Sequence, residues 1–407
     1  MKIVQINKYF YPRGGSETVF FNTIELLEQH GHTVIPFCMR NVKNLDSPYA
    51  SYFVDYPEFS ESGFWTKIRH IPSFIYNRKA AKQLDRLLER EKPDIAHIHL
   101  LFNSLSVSIL PVLKKHRVPV VMTAHDHRLI CPAYLFIDGK RKVCERCRDG
   151  HFYHCALHRC SKGQLFQSVM LTIDSYFRKY RLSPLDYVDR FIFVGHFSRG
   201  KHIAFSAKYE GSSSVLFNFT PIQPQAVTPK DDYLLYFGRI SEEKGIPTLM
   251  RAMEEFPDVK LKIVGTGSLL EELKGRSLPN IEFTGYRSGE DLHDYIRKAR
   301  FIIVPSECYE NNTLVIIESY TLGTPAIGSR IGGIPEFIQD GQNGFLFEPG
   351  SVVQLREKIR QALSLSPESY ANMCQEAQVF AANNFSGDMY YKKLISLYKE
   401  VIKNKKE

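Results

Sequence analysis

The sequence predicts an α/β protein made of two doubly wound parallel-sheet domains in tandem. Three observations carry this: short apolar runs alternate with amphipathic stretches in both halves, a proline-rich break separates the halves, and a strand–turn–helix with two glutamates lies in the second. In the first half, residues 2–7 read as a strand and 11–17 as a glycine turn. Residues 18–30 read as a helix with Val19, Phe20, Ile24 and Leu27 at helical spacing, stopped by Gly31 before a strand at 33–37. Further strands are expected at 94–100, 119–124, 190–194 and 214–217, all short apolar runs of the kind a parallel sheet buries on both faces. Residues 220–232 contain three prolines and no apolar period, and read as a linker. The second alternation places strands at 233–237, 261–264, 281–284, 301–304, 326–327 and 344–347, each followed by a helical stretch. A final helix carries Tyr390, Leu394, Leu397 and Val401 on one stripe.

At 407 residues and 43% hydrophobic content the chain is long enough for two or three domains with substantial cores. It starts directly as a strand, and no apolar run approaches the length needed to span a bilayer, so a cytoplasmic location is expected. The net charge of +9 favours anionic partners such as nucleotide diphosphates, acidic lipid surfaces or nucleic acid. The basic residues are scattered and form no recognisable reading module, which disfavours nucleic acid.

The chemistry concentrates after the strand at 301–304. There the turn Ser306 to Asn312 feeds a helix that begins near Thr313 and ends at Leu322-Gly323-Thr324-Pro325. A turn between a strand end and a helix amino terminus suits a phosphorylated ligand, because unpaired N–H groups and the helix dipole converge there. Glu310 and Glu318 would repel phosphate, so both read as acceptors for hydroxyls. Arg239 and Lys244 lie just past a strand, where two fixed cations suit a diphosphate and would stand in for a metal; the bland alternative is a solvated pair. Gly14 and Gly15 precede the first helix, either as a plain tight turn or to present N–H groups to a ligand. His125 ends a strand, where a histidine is more often a structural hydrogen-bonder than a catalyst.

These segments resemble the family 4 glycosyltransferases. The resemblance rests on Gly14-Gly15-Ser16-Glu17, on Phe237 through Gly245, on Val264-Gly265-Thr266-Gly267, on the Glu310 to Glu318 pair, on Gly332-Gly333-Ile334-Pro335-Glu336 and on Asn343 through Phe347. It implies the GT-B fold, two Rossmann-like domains facing across a cleft. Residues 1–222 would be the acceptor-side domain, with a Cys-rich insertion at 131–160. Residues 230–385 would bind the nucleotide-sugar donor, and 386–407 would be a helix packing back on the first domain. By the same resemblance Arg239 and Lys244 clamp the donor phosphates, Glu318 binds the ribose hydroxyls, and Glu310 sits against the sugar. His125, in preference to His127, contacts the sugar near the reacting carbon. Gly14, Gly15, Gly265, Asn311, Asn312, Thr313 and Leu314 complete the donor contacts. Asn311-Asn312-Thr313 stands where Gly-Phe-Gly is usual in the family, which bears on the sugar bound. The implied activity is retaining transfer of a sugar to a hydroxyl of a glycan or lipid-linked acceptor in cell-surface glycan assembly, with no catalytic cofactor. A nucleotide-sugar epimerase and a non-catalytic sugar-nucleotide sensor are the alternatives.

Cys144 and Cys147 have a spacing that lets two thiolates face one tetrahedral ion, and Cys155 and Cys160 would complete a structural zinc site. Nearby cations would lower the thiol pKa values. Unpaired thiols in a basic insertion are the alternative. Residues 62–79 and 173–181 mix aromatics, aliphatics and cations, suiting either an amphipathic helix packed on the sheet or a peripheral contact with the inner face of a membrane.

Overall fold

The computed structural model describes residues 1–55, 71–225 and 229–406. The chain divides into two compact units, Met1–Leu216 together with Tyr390–Glu407, and Phe217–Met389. Each is built on a six-stranded parallel sheet.

In the first unit the order is β2-β1-β3-β4-β5-β6, with β1 Lys2–Ile6, β2 Thr33–Phe37, β3 Ile95–Ile98, β4 Val120–Ala124, β5 Arg190–Phe193 and β6 Ser213–Val215. β1 lies between β2 and β3, Val4 opposing Ile35 on one side and Ala96 on the other. The helix Gly15–Gln29 links β1 to β2 and buries Val19, Phe20, Leu26 and Leu27 on one face. It stops because Gly31 takes a positive φ of 75° and lets His32 N–H donate back to Leu27 O at 3.1 Å. The chain's last helix, Gly387–Lys406, returns to this unit. Tyr390, Leu394, Tyr398 and Val401 are buried there, while the expected Leu397 is half-buried and Tyr398 takes the central place.

In the second unit the order is β12-β11-β10-β7-β8-β9, with β7 Tyr233–Phe237, β8 Lys260–Val264, β9 Ile281–Gly285, β10 Phe301–Val304, β11 Ala326–Ser329 and β12 Gly344–Phe347. Alternate residues of the same strand enter opposite cores. Leu235, Ile302 and Val304 join Ile317, Tyr320 and Phe337 on one face. Leu234, Phe301 and Ile303 join Leu249, Phe345 and Leu355 on the other. Burial on both faces is why these strands read as unbroken apolar runs, each buried large aliphatic or phenyl group contributing about 1.5–3 kcal/mol. Phe217, ahead of the proline-rich segment read as the linker, and Ile222, within it, pack on this unit's core, so the chain enters the unit before that segment ends.

Candidate functional site

In the second unit β7 pairs with β10 on one side and β8 on the other, so sheet growth reverses there. Open α/β sheets hold ligands at the carboxyl ends of the strands at such a point. Two loops leave it, 238–245 after β7 and 305–313 after β10, and they meet through side chains. Lys244 Nζ donates to Glu310 Oε1 at 2.5 Å, and Ser306 Oγ donates to the same oxygen at 2.6 Å. Burial acts to raise the Glu310 carboxyl, but the charge and hydrogen bonds of Lys244, Ser306 and the more distant Arg239 override it and hold the pKa below the usual range. Lys244 is held above its usual value for the reciprocal reason. Lys244 is thus a partnered cation rather than a solvated one. Glu310 fixes its ammonium at one point of the crevice. Arg239 is exposed and makes no salt bridge among the described residues.

The turn bearing Glu310 is held by backbone. Gly333 N–H donates to Glu310 O at 2.6 Å. Gly332 has a φ of 61°, and a Cβ there would lie 2.5 Å from Glu310 O and 2.6 Å from Glu310 N. Only glycine permits that approach, which accounts for the paired glycines of the Gly332 to Glu336 motif. Asn311 and Asn312 are half-buried in the same turn, and Leu314 packs its side chain on the core. Thr313 caps the helix Leu314–Thr321 by position, but its Oγ1 makes no hydrogen bond and is buried. Ser241 Oγ, on the loop after β7, is also buried without a partner. Glu318 is half-buried, and burial pushes its carboxyl up to about 7. Gly265, expected at the ligand, has its N–H donated to Gly285 O at 2.8 Å, and a Cβ there would lie 1.9 Å from Gly238 O. Its observed role is to let the loops after β7 and β8 run side by side.

The first unit holds a second constellation at its own point of reversal, β1 lying between β2 and β3. His99 Nε2 is 2.8 Å from Gln5 Oε1, and His99 Nδ1 is 2.9 Å from His125 Nε2. His97 bridges Thr123 and Tyr398 at 2.7 and 2.6 Å. Burial lowers all of these imidazoles, His125 to about 4 and His97 to about 3, so they are neutral at pH 7. The neutral forms then settle the protons. The Gln5 oxygen takes the His99 Nε2–H, leaving His99 Nδ1 to accept from His125 Nε2–H, and His125 carries its lone pair on Nδ1. His127 turns into the core, 1% exposed against Phe136 and His202.

Gly15 is the first helical residue and Gly14 its cap, with an extended φ of −169° that any residue adopts. Of the two sequence readings, the plain tight turn is not what forms; the cap residue offers no side-chain bond, and the Glu17 carboxylate accepts from its own N–H in the first turn.

Two family models match the chain, "Glycosyltransferase Family 4" over residues 13–206 and "Glycosyl transferases group 1" over residues 219–380. The chain belongs to glycosyltransferase family 4. Sulfoquinovosyl transferase SQD2 of Arabidopsis thaliana is 33% identical over 140 residues, 33% of this chain and 27% of that protein. An uncharacterised 42.6 kDa protein of the Klebsiella pneumoniae cps region is 23% identical over 86% of this chain and 90% of its own. HepE of Anabaena, solved with UDP, superposes with a TM-score of 0.65 at 17% identity, covering 98% of this chain and all of that one. The family's GT-B architecture is thus present in both units.

All eight cysteines are free, and Cys131, Cys147 and Cys155 are buried. The insertion brings its cysteines into one neighbourhood, Cys160 hydrogen-bonding Cys155 and Cys147 lying near Cys131, Cys144 and Cys160, without three of the sulfurs falling within 4.8 Å of one another. Among the described residues, the three-residue group with ligand atoms within 4.8 Å of one another is Asp85, Glu89 and His116, where Lys115 already bonds Asp85. Nor do the cations depress Cys131, Cys147 or Cys160. Burial pushes Cys131 up to about 11 and Cys147 higher, and a hydrogen bond with Cys155 together with burial raises Cys160. Of the aromatic-cationic stretches, 62–70 lies outside the described residues. In 173–181, Arg178 is not a surface cation but a buried partner of Asp174 at 3.0 Å. Sequence reasoning passed over Gln5, His99, Ser241 and Ser306. Ser241 and Ser306 stand inside quoted motifs, while nothing in the sequence joins Gln5 and His99 to His125.

Proposed function

We propose that this protein transfers a sugar from a nucleotide-sugar donor to a hydroxyl of a glycan or lipid-linked acceptor, with retention, in building a cell-surface polysaccharide or glycolipid. The observation that carries the reading is the Lys244–Glu310 pair at the reversal point of the second sheet, beside an uncapped helix amino terminus with an unsatisfied Thr313 hydroxyl. HepE, which shares the fold, was also solved with UDP-glucose, and that supports a uridine nucleotide as the first donor to try.

In this mechanism Arg239 and Lys244 hold the diphosphate, with the helix N–H groups adding to the positive field. Glu318, as carboxylate, accepts hydrogen bonds from the ribose hydroxyls, and Glu310 accepts from the sugar while keeping Lys244 in place. The C1–O bond to phosphate breaks as the acceptor oxygen bonds C1 on the same face, and the leaving phosphate oxygen takes the acceptor proton. His125 contacts the sugar. Charge on the departing diphosphate is the quantity stabilised, and losing one such contact costs about a hundredfold or more in rate.

The test is thermal stabilisation by a panel of nucleotide sugars, followed by nucleotide release with and without hydroxyl acceptors. Stabilisation by one donor, with release dependent on acceptor, is the expected result. Steady epimerisation of donor alone, or no stabilisation by any donor, would overturn the reading.

A further inference from the structure

The helix Leu165–Tyr180 carries apolar residues on its exposed face as well as on its buried one, where Met170 and Leu171 pack. Beside them the inward face buries the polar residues Ser168, Thr172, Asp174, Ser175 and Arg178, with Arg178 bonded to Asp174, to Ser175 Oγ at 2.9 Å and to Arg128 O at 3.0 Å. Its outward face is apolar. Leu165, Val169, Ile173 and Tyr180 are exposed along one stripe, and Tyr153 and Leu157 of the neighbouring helix Tyr153–Leu157 extend it, with exposures from 36% to 69%. Solvated helix faces normally carry the charges, so a contiguous apolar face of this kind marks a contact surface.

Charge indicates what covers it. Residues 140–181 hold ten lysines and arginines against three acidic residues, which is seven of the chain's nine net positive charges. Exposed Arg159 and Lys162 sit before the stripe, and exposed Lys179 and Arg181 after it. No carboxylate lies on the stripe, since Asp174 points inward. No helix of the described residues is long and apolar enough to cross a membrane. An apolar stripe with tyrosines at its ends and cations on both flanks matches the boundary between acyl chains and anionic headgroups.

We propose that this face docks the protein on an anionic lipid bilayer, the stripe entering the headgroup boundary and the flanking cations meeting lipid phosphate. The inference is independent of the donor site, which lies in the other unit. It is tested by co-sedimentation with vesicles of phosphatidylglycerol and phosphatidylethanolamine, compared with phosphatidylcholine. Binding about tenfold or more tighter to the anionic vesicles, weakened by salt, is expected. The combined variant Leu165→Ser, Val169→Ser, Ile173→Ser should lower it about tenfold at unchanged thermal stability, because these side chains are exposed. Should that variant fold poorly, hydrogen exchange on the native chain decides, with the vesicles expected to protect amides 165–181. The proposal is overturned if anionic vesicles neither bind nor protect that helix, or if the variant binds as well as the native chain. It is also overturned if the native chain is a dimer that the variant converts to monomer without any vesicle binding.

Discussion

At the scale of single residues, two ionisable groups make opposite statements. Glu310 has a depressed pKa, so its contribution to stability is present above the ordinary glutamate value and is lost as pH falls through the folded one. Glu318 is raised to about 7 with nothing to offset its burial, so its contribution is full below about 4.5 and is lost as pH rises to about 7, at a cost of up to about 3 kcal/mol. Glu318→Gln should therefore raise the melting temperature at pH 8 and flatten its dependence on pH between about 4.5 and 7. If the carboxylate binds the donor ribose, the donor KM of the native enzyme should fall as pH rises through 7, and Glu318→Gln should abolish that trend. A second prediction concerns His99, whose Nδ1 faces His125 Nε2 at 2.9 Å. His99→Phe removes the acceptor, and kcat should fall by about a hundredfold, while His99→Gln, which restores an oxygen acceptor, should recover most of it. Nitrogen chemical shifts of the native protein should report His125 protonated on Nε2. Protonation on Nδ1 would refute the assignment.

At the scale of elements, glycines at turns separate packing from conformation. Gly332 and Gly285 both have positive φ, 61° and 78°, but a Cβ at Gly332 collides with the Glu310 backbone and one at Gly285 meets open space. Gly285→Ala should cost about 1 kcal/mol of stability with activity kept. Gly332→Ala should cost more and remove activity, because it displaces the turn carrying Glu310. Equal losses in the two variants would show that the close approach is unimportant. The cysteine segment offers its own check. Cys131 and Cys147, whose thiols burial raises, and the buried Cys155 should react slowly with a thiol reagent in the native protein, and all eight should react on unfolding. Stoichiometric zinc in the purified protein would instead show that the sulfurs converge when metal enters.

At the scale of the whole molecule, the chain leaves the first unit at Leu216 and returns at Tyr390, so that unit is completed by the carboxyl-terminal residues. Tyr390, Leu394, Tyr398 and Val401 are buried in it, and Tyr398 bonds His97. Removing residues 390–407 forfeits the burial of these four large groups, about 6–12 kcal/mol together, which is comparable to the entire stability of a domain. The truncated chain should show one unfolding transition, from the second unit, where the full chain shows the first unit folded as well. Two intact transitions would contradict this account.

The sequence by itself determined the two alternations, all twelve strands to within a few residues, and the glycine and glutamate motifs, because helical and strand periods and turn chemistry are local. Tertiary structure alone decided which atoms meet. Lys244 and Glu310 are 66 residues apart, and His99 and Gln5 are 94 apart; each pair is joined by strand order, which no local period encodes. The same holds for the helix Leu165–Tyr180, whose apolar stripe is fixed by sequence but whose outward aim goes with the burial of Met170, Leu171 and the Asp174–Arg178 pair on the other face. It holds for the cysteines too. Spacing along the chain marked Cys144 and Cys147 as neighbours, but only the fold of the insertion brings Cys160 against Cys155 and near Cys147.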